Sequence, residues 1–216
     1  MGILKLENVS YRYKDAPKDT YVFKDINYEF EQGKIYAIKG KSGSGKTTLL
    51  SLITGLEKCT EGSVIYDERN LRKMNLDTYR NTDIGIVFQS YNLLPRLTAI
   101  ENIILSMDIS KVKVKNKKQK ALELMKSVGL SEEHANRKIL KLSGGEQQRI
   151  AIARSLSYNP KIIIADEPTG NLDKDTESEI LKIFEHLAKD ENKCVIIVTH
   201  SQNVCDRADI VYELKK

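Results

Sequence analysis

The run Gly40-Lys41-Ser42-Gly43-Ser44-Gly45-Lys46-Thr47 leaves four free positions between two glycines and follows them with Lys and Thr. That pattern suits a phosphate: glycines let backbone N–H groups curl around anionic oxygens with no Cβ in the way. A helix starting at the loop, through Thr47 and Thr48, would aim its unpaired amides and positive dipole end at the same anion. Lys46 is then placed to reach β- and γ-phosphates, and the Thr47 hydroxyl to ligate Mg²⁺. A plain Gly/Ser turn is the alternative. The apolar run Ile35–Ile38 before it and the helical spacing of Thr47–Thr54 after it, stopped by Gly55, are the context that a nucleoside triphosphate loop requires.

Four further places match this chemistry. Asp166-Glu167-Pro168 ends the apolar run Lys161–Ala165. A carboxylate at a strand tip beside a phosphate loop can hold Mg²⁺, which is the expectation for Asp166. Strand alternation points Glu167 to the opposite side, free to orient or deprotonate an attacking water. Gln89 follows the run Ile84–Phe88 and His200 follows Val195–Thr199. The ends of parallel strands are where such folds place ligand-contacting groups, so both are candidates for γ-phosphate or Mg²⁺ contact. His134 and His186, within helix patterns, read as surface residues. Lastly, Leu142-Ser143-Gly144-Gly145-Glu146 opens a helix. Ser143 with Glu146 makes a capping box, but two glycines at a helix start cost stability and leave bare backbone where a phosphate could approach. The chain thus carries two phosphate-ready helix starts and one phosphate-loop lysine, as if the second served a nucleotide held by another copy.

The elements that must hold these groups alternate. Ile35–Ile38, Ile84–Phe88, Lys161–Ala165 and Cys194–Thr199 are short apolar runs, as for strands covered on both faces. Ile26, Tyr28 and Phe30 alternate with polar residues, as in a half-buried strand. Helical patterns lie between: Thr98-Ala-Ile-Glu101 is a capping box, Ala121, Leu122, Leu124, Met125 and Val128 run to Gly129, and Ile180 to Ala188 follows Asp173. Such alternation predicts an α/β domain with a mainly parallel sheet. From about 89 to 159 helix patterns appear without a clear strand. The chain is therefore expected to be one domain: a catalytic core of residues 1–88 and 160–216, with a helical lobe inserted between two sheet strands.

With 216 residues, 40% apolar and 30% charged, the composition excludes collagen-like and disordered classes. Its apolar stretches of four or five residues fall short of the about 20 that a membrane span needs. The N-terminus lacks the pattern of an export signal, and three cysteines (Cys59, Cys194, Cys205) form no metal or redox spacing, which suits a reducing cytosol. Net charge is +5, concentrated in Lys111, Lys113, Lys115, Lys117, Lys118 and Lys120. Without interleaved aromatics this reads as a solvated turn and helix start, and no nucleic-acid partner is expected.

Gly40–Thr47, Gln89, Leu142–Glu146 with Gln147-Gln148-Arg149, Asp166-Glu167, Gly170–Asp173 and His200 resemble the ATP-binding-cassette (ABC) ATPases in order and spacing across nearly the whole chain. The resemblance implies a P-loop NTPase core with an N-terminal antiparallel β subdomain. It also implies a head-to-tail homodimer sandwiching two ATP molecules, each held by one subunit's phosphate loop and by Ser143, Gly144, Gly145 and Glu146 of the other. Glu167, His200 and Gln89 would be catalytic; Thr47, Gln89 and Asp166 would hold Mg²⁺. Tyr13 would stack on adenine, with Tyr11 the alternative and strand packing open for both, and Asp173 would communicate across the dimer. Kinases lack the Leu142–Glu146 start, chromosome-maintenance ATPases carry long heptad insertions, and translation factors carry two cassettes. A transporter ATPase remains.

The segment Val87–Asn102 is similar to the branch that serves macrolide exporters, lipoprotein-releasing complexes and antimicrobial-peptide export, with the cell-division cassette also close. That implies an integral-membrane permease of the macrolide-exporter or cell-division (MacB/FtsX-like) type, contacted through Tyr91, Leu93, Leu94 and Leu97, for which lobe packing is the alternative. The subunit would sit in the cytoplasm, peripheral on the inner face of the plasma membrane. Its cargo would be a peptide, bacteriocin or lipophilic substrate; the alternative is a regulatory ATPase signalling to wall enzymes or a sensor kinase without transport. The chain departs from the family pattern in stopping at Tyr212–Lys216, without a glycine turn and further residues.

Overall fold

The computed structural model describes residues 2–17 and 19–214. The chain runs β1 (Leu4–Tyr11), β2 (Phe23–Phe30), β3 (Ile35–Lys39), α1 (Lys46–Ile53), β4 (Glu61–Tyr66), β5 (Arg69–Asn70), α2 (Leu76–Thr82) and β6 (Ile84–Val87). Three helices follow without a strand among the described residues: α3 (Ala99–Ile109), α4 (Lys117–Ser127) and α5 (Gly144–Ser155). Then come β7 (Ile162–Asp166), α6 (Lys174–Lys189), β8 (Cys194–Thr199), α7 (Gln202–Arg207) and β9 (Ile210–Glu213).

Two sheets form. One is antiparallel, in the order β2-β1-β4-β5; the other is parallel, in the order β6-β7-β8-β3-β9. The apolar runs are central strands because both faces of the parallel sheet are covered. Ile35, Val87, Ile163, Ala165, Val195 and Ile197 face α3–α6, among residues such as Ile103, Met125, Ile150 and Phe184. Their alternates Tyr36, Ile38, Ile162, Ile164, Ile196 and Val198 face α1 and the antiparallel sheet, among Leu49, Leu52, Leu4 and Phe30. A strand read by both cores has no polar phase, hence the unbroken apolar runs. One more strand follows Cys194–Thr199: β9 pairs with β3, and its half-exposed sequence leaves no apolar run to mark it.

Register gathers the chemistry at one edge. Asp166 pairs with Val198, Lys39 with Thr199 and Val87 with Ala165, so four strands end side by side. Their next residues lead to Gln89, the phosphate loop, Glu167 and His200, at the carboxyl edge where ligands bind in open α/β sheets.

The capping boxes at Thr98/Glu101 and Ser143/Glu146 are both formed. α5 ends at Ser155, short of the Tyr158 that the sequence suggests; a turn follows, and Asn159 is left-handed, at a φ of +55°, ahead of Pro160. The lysine-rich segment is a turn at Lys111 (φ +54°) and the start of α4, with Lys111, Lys113, Lys115, Lys118 and Lys120 exposed.

Candidate active site

The phosphate loop leaves β3 and enters α1 through Gly45, at a φ of +94°. A Cβ there would lie 2.4 Å from Val22 Cγ1, so both backbone and space demand glycine. Lys46 folds back over the loop, donating from Nζ to the carbonyls of Gly40 (2.7 Å) and Lys41 (3.1 Å). Ser44 Oγ is buried with no hydrogen-bond partner, a polar atom enclosed by the loop and left for a ligand.

A cavity of about 570 Å³ opens in front of the loop. Ser42, Gly43, Gly45, Lys46, Thr47 and Thr48 line it together with Gln89, Asp166, Glu167 and Tyr13. Tyr13 is 56% exposed, and its hydroxyl shares a 3.1 Å hydrogen bond with Thr48 Oγ1. Tyr11 is buried against Phe23, edge-on to Tyr13 at 5.3 Å. Of the two, Tyr13 alone presents a face to the cavity; Tyr11 is a packing residue. Ala16, Thr20, Tyr21 and Val22 complete the wall, contributions with no motif or periodicity in the sequence to announce them.

Asp166 ends β7 half-buried. Burial, and secondarily the adjacent Glu167 carboxylate, push its carboxyl up from the ordinary value, with Lys46 pulling the other way. Glu167 does not continue the pleat. Its φ is +45°, and its N–H closes on Val198 O at 2.9 Å, so the chain turns and both carboxylates line the same cavity instead of opposite sides. Left-handed glutamate is costly backbone, of the kind that clusters at functional sites. Glu167 accepts from His200 Nδ1 (2.8 Å) on Oε1 and from Thr199 Oγ1 (3.2 Å) and His200 N (3.3 Å) on Oε2. Gln89 reaches across to the turn after Glu167: a Cβ on Gly170 would lie 3.1 Å from its Nε2.

Ser143, Gly144, Gly145 and Glu146 are not brought to this cavity. They line a separate hollow of about 310 Å³ with Asn171, Leu172, Asp173 and Thr176. Glu146 is engaged inside the chain: one oxygen accepts from Ser143 N (2.7 Å), the other is 3.0 Å from His134 Nε2, and its carboxyl is held below the usual range chiefly by the Ser143 N–H. His134 is accordingly no loose surface residue; its side chain is 15% exposed, in a short turn, bonded to Ser131 and Glu146. Gly145 also has a reason within the chain, since a Cβ would stand 2.6 Å from Thr176 Cγ2. Asp173 caps α6, accepting from Asp175 N, Thr176 N and Thr176 Oγ1, and these bonds lower its carboxyl.

Known proteins resemble this chain over nearly its whole length. The family model described as "ABC transporter" matches residues 23–170. The uncharacterized ABC transporter ATP-binding protein YclH of Bacillus subtilis is 46% identical over 216 residues, covering 100% of this chain and 95% of that protein. The lipoprotein-releasing system ATP-binding protein LolD of Francisella tularensis is 41% identical, covering 98% of this chain and 93% of that one. Solved structures of the cassette MJ0796, one a dimer and one a dimeric post-hydrolysis state bound to ADP and Pi, superpose with a TM-score of 0.87 at 39% identity, over 99% of this chain and 97% of theirs. MJ0796 is from Methanocaldococcus jannaschii. By the family match and these relatives, the chain belongs to the ABC transporter family, as an ATP-binding and ATP-hydrolysing subunit.

Proposed function

We propose that two copies of this chain close head to tail on two ATP molecules, and that the cycle of closure and hydrolysis drives a membrane permease. One observation carries this reading. The two phosphate-ready helix starts of a single chain lie in separate hollows, so neither site is complete without a second copy. The dimeric MJ0796 cassettes, at 39% identity, lend it support.

In each site Gly40–Thr48 would wrap the triphosphate, with the buried Ser44 hydroxyl and Lys46 released toward it and Tyr13 stacked on the base. Thr47, Asp166 and Gln89 present the hard oxygens that Mg²⁺ takes, so the residues fit the ion. When bound, Mg²⁺ neutralises charge developing on the phosphates. Glu167, held by three donors on two oxygens, takes the proton of the attacking water, and His200 and Gln89 fix the geometry around the γ-phosphate. Gly144 and Gly145 of the partner supply unpaired amides, and Ser143 its hydroxyl, to the same phosphate.

Residues 89–159 would form the arm that meets the permease. Of the four side chains expected at that contact, Leu94 is exposed at 47% and Leu97 half-buried, whereas Tyr91 and Leu93 pack on the core; Ile109 and Leu140 are the other large apolar side chains of the arm left exposed. Among the described residues no helix is long and apolar enough to cross a membrane, consistent with attachment through a partner at the cytoplasmic face. Export of a peptide or lipophilic cargo follows the likeness to LolD, named for lipoprotein release.

The test is size-exclusion chromatography of the Glu167→Gln variant with and without Mg-ATP. Slowed about 10²–10⁴-fold in turnover, it should accumulate as a nucleotide-loaded dimer. A variant that binds ATP yet elutes as a monomer at every concentration would sink the shared site. Purification from solubilised membranes should bring the permease with it.

A further inference from the structure

Glu177 lies one turn into α6 and outside the cavity, yet a single one of its oxygens ties together the two loops that carry the hydrolytic pair. Oε1 accepts from Ser201 Oγ at 3.0 Å and from Thr169 Oγ1 at 3.2 Å. Ser201 immediately follows His200, and Thr169 stands two residues after Glu167. The link closes on itself: Ser201 N donates to Thr199 Oγ1 (2.9 Å), which in turn donates to Glu167 Oε2 (3.2 Å).

We propose that Glu177 is a positioning residue for ATP hydrolysis, setting the relative placement of Glu167 and His200 through the hydroxyls of Thr169 and Ser201. Glu167 and His200 come from separate strand ends, and their geometry is only as firm as the turns behind them. Thr169 is buried at 5% exposure, so its hydroxyl has a strong requirement for an acceptor. Positioning matters because a misplacement of about 1 Å at a reacting centre costs on the order of 10²-fold in rate. The folding of α6 does not depend on this carboxylate. Asp173 supplies its cap, and Ile180, Leu181, Ile183 and Phe184 bury its apolar face. The inference rests on the proposed roles of Glu167 and His200.

Steady-state kinetics of Glu177→Ala, Glu177→Gln and Glu167→Gln, singly and combined, test it. Glu177→Ala should lower kcat about tenfold and leave the KM for ATP within about twofold, since the nucleotide is held elsewhere. Glu177→Gln keeps an acceptor oxygen for both hydroxyls and should recover kcat to within about threefold of wild type. In the Glu167→Gln background, Glu177→Ala should cost clearly less than in the wild type, because one of the two groups it places is gone. Wild-type kcat in Glu177→Ala, alongside a Glu167→Gln enzyme that has lost turnover, overturns the positioning role and spares the catalytic one. A change confined to KM, or equal losses in the Ala and Gln variants, overturns it too. A Glu167→Gln enzyme with full turnover sinks the assignment of the pair itself, and this inference with it. Should Glu177→Ala fail to fold, Ser201→Ala and Thr169→Val each delete one of the two bonds; kcat unchanged in both overturns the proposal.

Discussion

His200 donates from Nδ1 to Glu167 Oε1 across 2.8 Å, joining residues 33 positions apart in the chain. The pairing follows from the register of β7 on β8, which sets Asp166 beside Val198 and lets both strands run out at one edge. The second Glu167 oxygen takes the Thr199 hydroxyl and the His200 N–H. The carboxylate therefore has two supports that do not depend on the imidazole.

This division makes His200→Ala informative. Glu167 should stay in place, and ATP affinity, set by the loop around Lys46, should stay within a few-fold of wild type. Turnover should fall about 10²–10³-fold, the cost of removing one polar group aimed at transition-state charge. Calorimetric titration with ATP beside a phosphate-release assay separates the two; an unchanged rate would leave His200 as a mere partner of the glutamate.

Lys46 now satisfies two loop carbonyls at 2.7 and 3.1 Å, bonds it exchanges for phosphate oxygens when ATP enters. Lys46→Ala should weaken ATP binding by about 10- to 100-fold, the worth of a charged hydrogen bond. Its melting temperature without nucleotide should stay near wild type. A titration indistinguishable from wild type would remove the loop from its role.

Gly145 serves two masters, and a pair of variants separates them. Gly145→Ala drives a Cβ to 2.6 Å from Thr176 Cγ2, an overpacking worth about 1–3 kcal/mol. Adding Thr176→Ser removes that methyl and keeps the hydroxyl bonded to Asp173 Oδ2 at 2.7 Å. Stability should recover in the double variant. The ATP-dependent dimer of the Glu167→Gln background should stay lost, because bare backbone at the helix start is still covered. Recovery of the dimer would mean that the glycine answers only to Thr176.

Much of this was legible before any coordinates. The phosphate loop reads directly because its glycines and lysine are demanded by local chemistry, and the central strands because burial on both faces erases polar phase. The capping boxes at Thr98 and Ser143 announce helix starts by short-range bonds alone. Long-range matters were not readable. The left-handed turn at Glu167 goes with its bond to Val198 O, the partial burial of His134 with its contact to Glu146, and the tie of Ser201 to Glu177 with the packing of the turn after β8 on α6, 24 residues away in the chain. β1, β4 and β5 also escaped the sequence reading. They sit in a sheet that packs on one face only, where Leu4 and Leu6 are buried and Lys5 and Glu7 are not, too short an alternation to stand out.

Alkaline pH should find a sharp limit in the tyrosines. Tyr36, Tyr66 and Tyr79 are fully buried, and burial raises each hydroxyl above its ordinary value; burial also pushes Tyr158, bonded to Ile84 O at 2.7 Å, up to about 12. In the unfolded chain these groups ionise near a pH of about 10. Above that, the native state binds more protons than the unfolded state, so stability is fully present below about pH 10 and falls as pH rises through the native values. The urea midpoint should be flat with respect to these groups from roughly pH 7 to 9 and then decline. Tyrosinate absorbance from the buried groups should appear only as circular dichroism is lost. Ionisation of all 10 tyrosines with the fold intact would contradict the burial.

Arg154 offers the last test, of how α5 holds the turn beyond Gln89. Its side chain is half-buried, and it donates from Nη2 to Tyr91 O at 2.9 Å and from Nη1 to Asn92 O. Tyr91 and Asn92 both stand in the left-handed region, at φ of +60° and +49°. Two consecutive non-glycine residues there need an outside hold, and no carboxylate pairs with Arg154 among the described residues. Desolvation lowers its pKa, which marks the cost of enclosing the cation. That cost offsets part of the two charged bonds, so Arg154→Met should lose about 2 kcal/mol net rather than the larger sum. For a chain of this size that is a melting-temperature drop of about 4–8 °C. The drop should come with a kcat loss exceeding any rise in KM, since the freed turn carries Gln89 and not the phosphate loop. Arg154→Met with an unaltered melting curve would show that the turn holds its shape unaided.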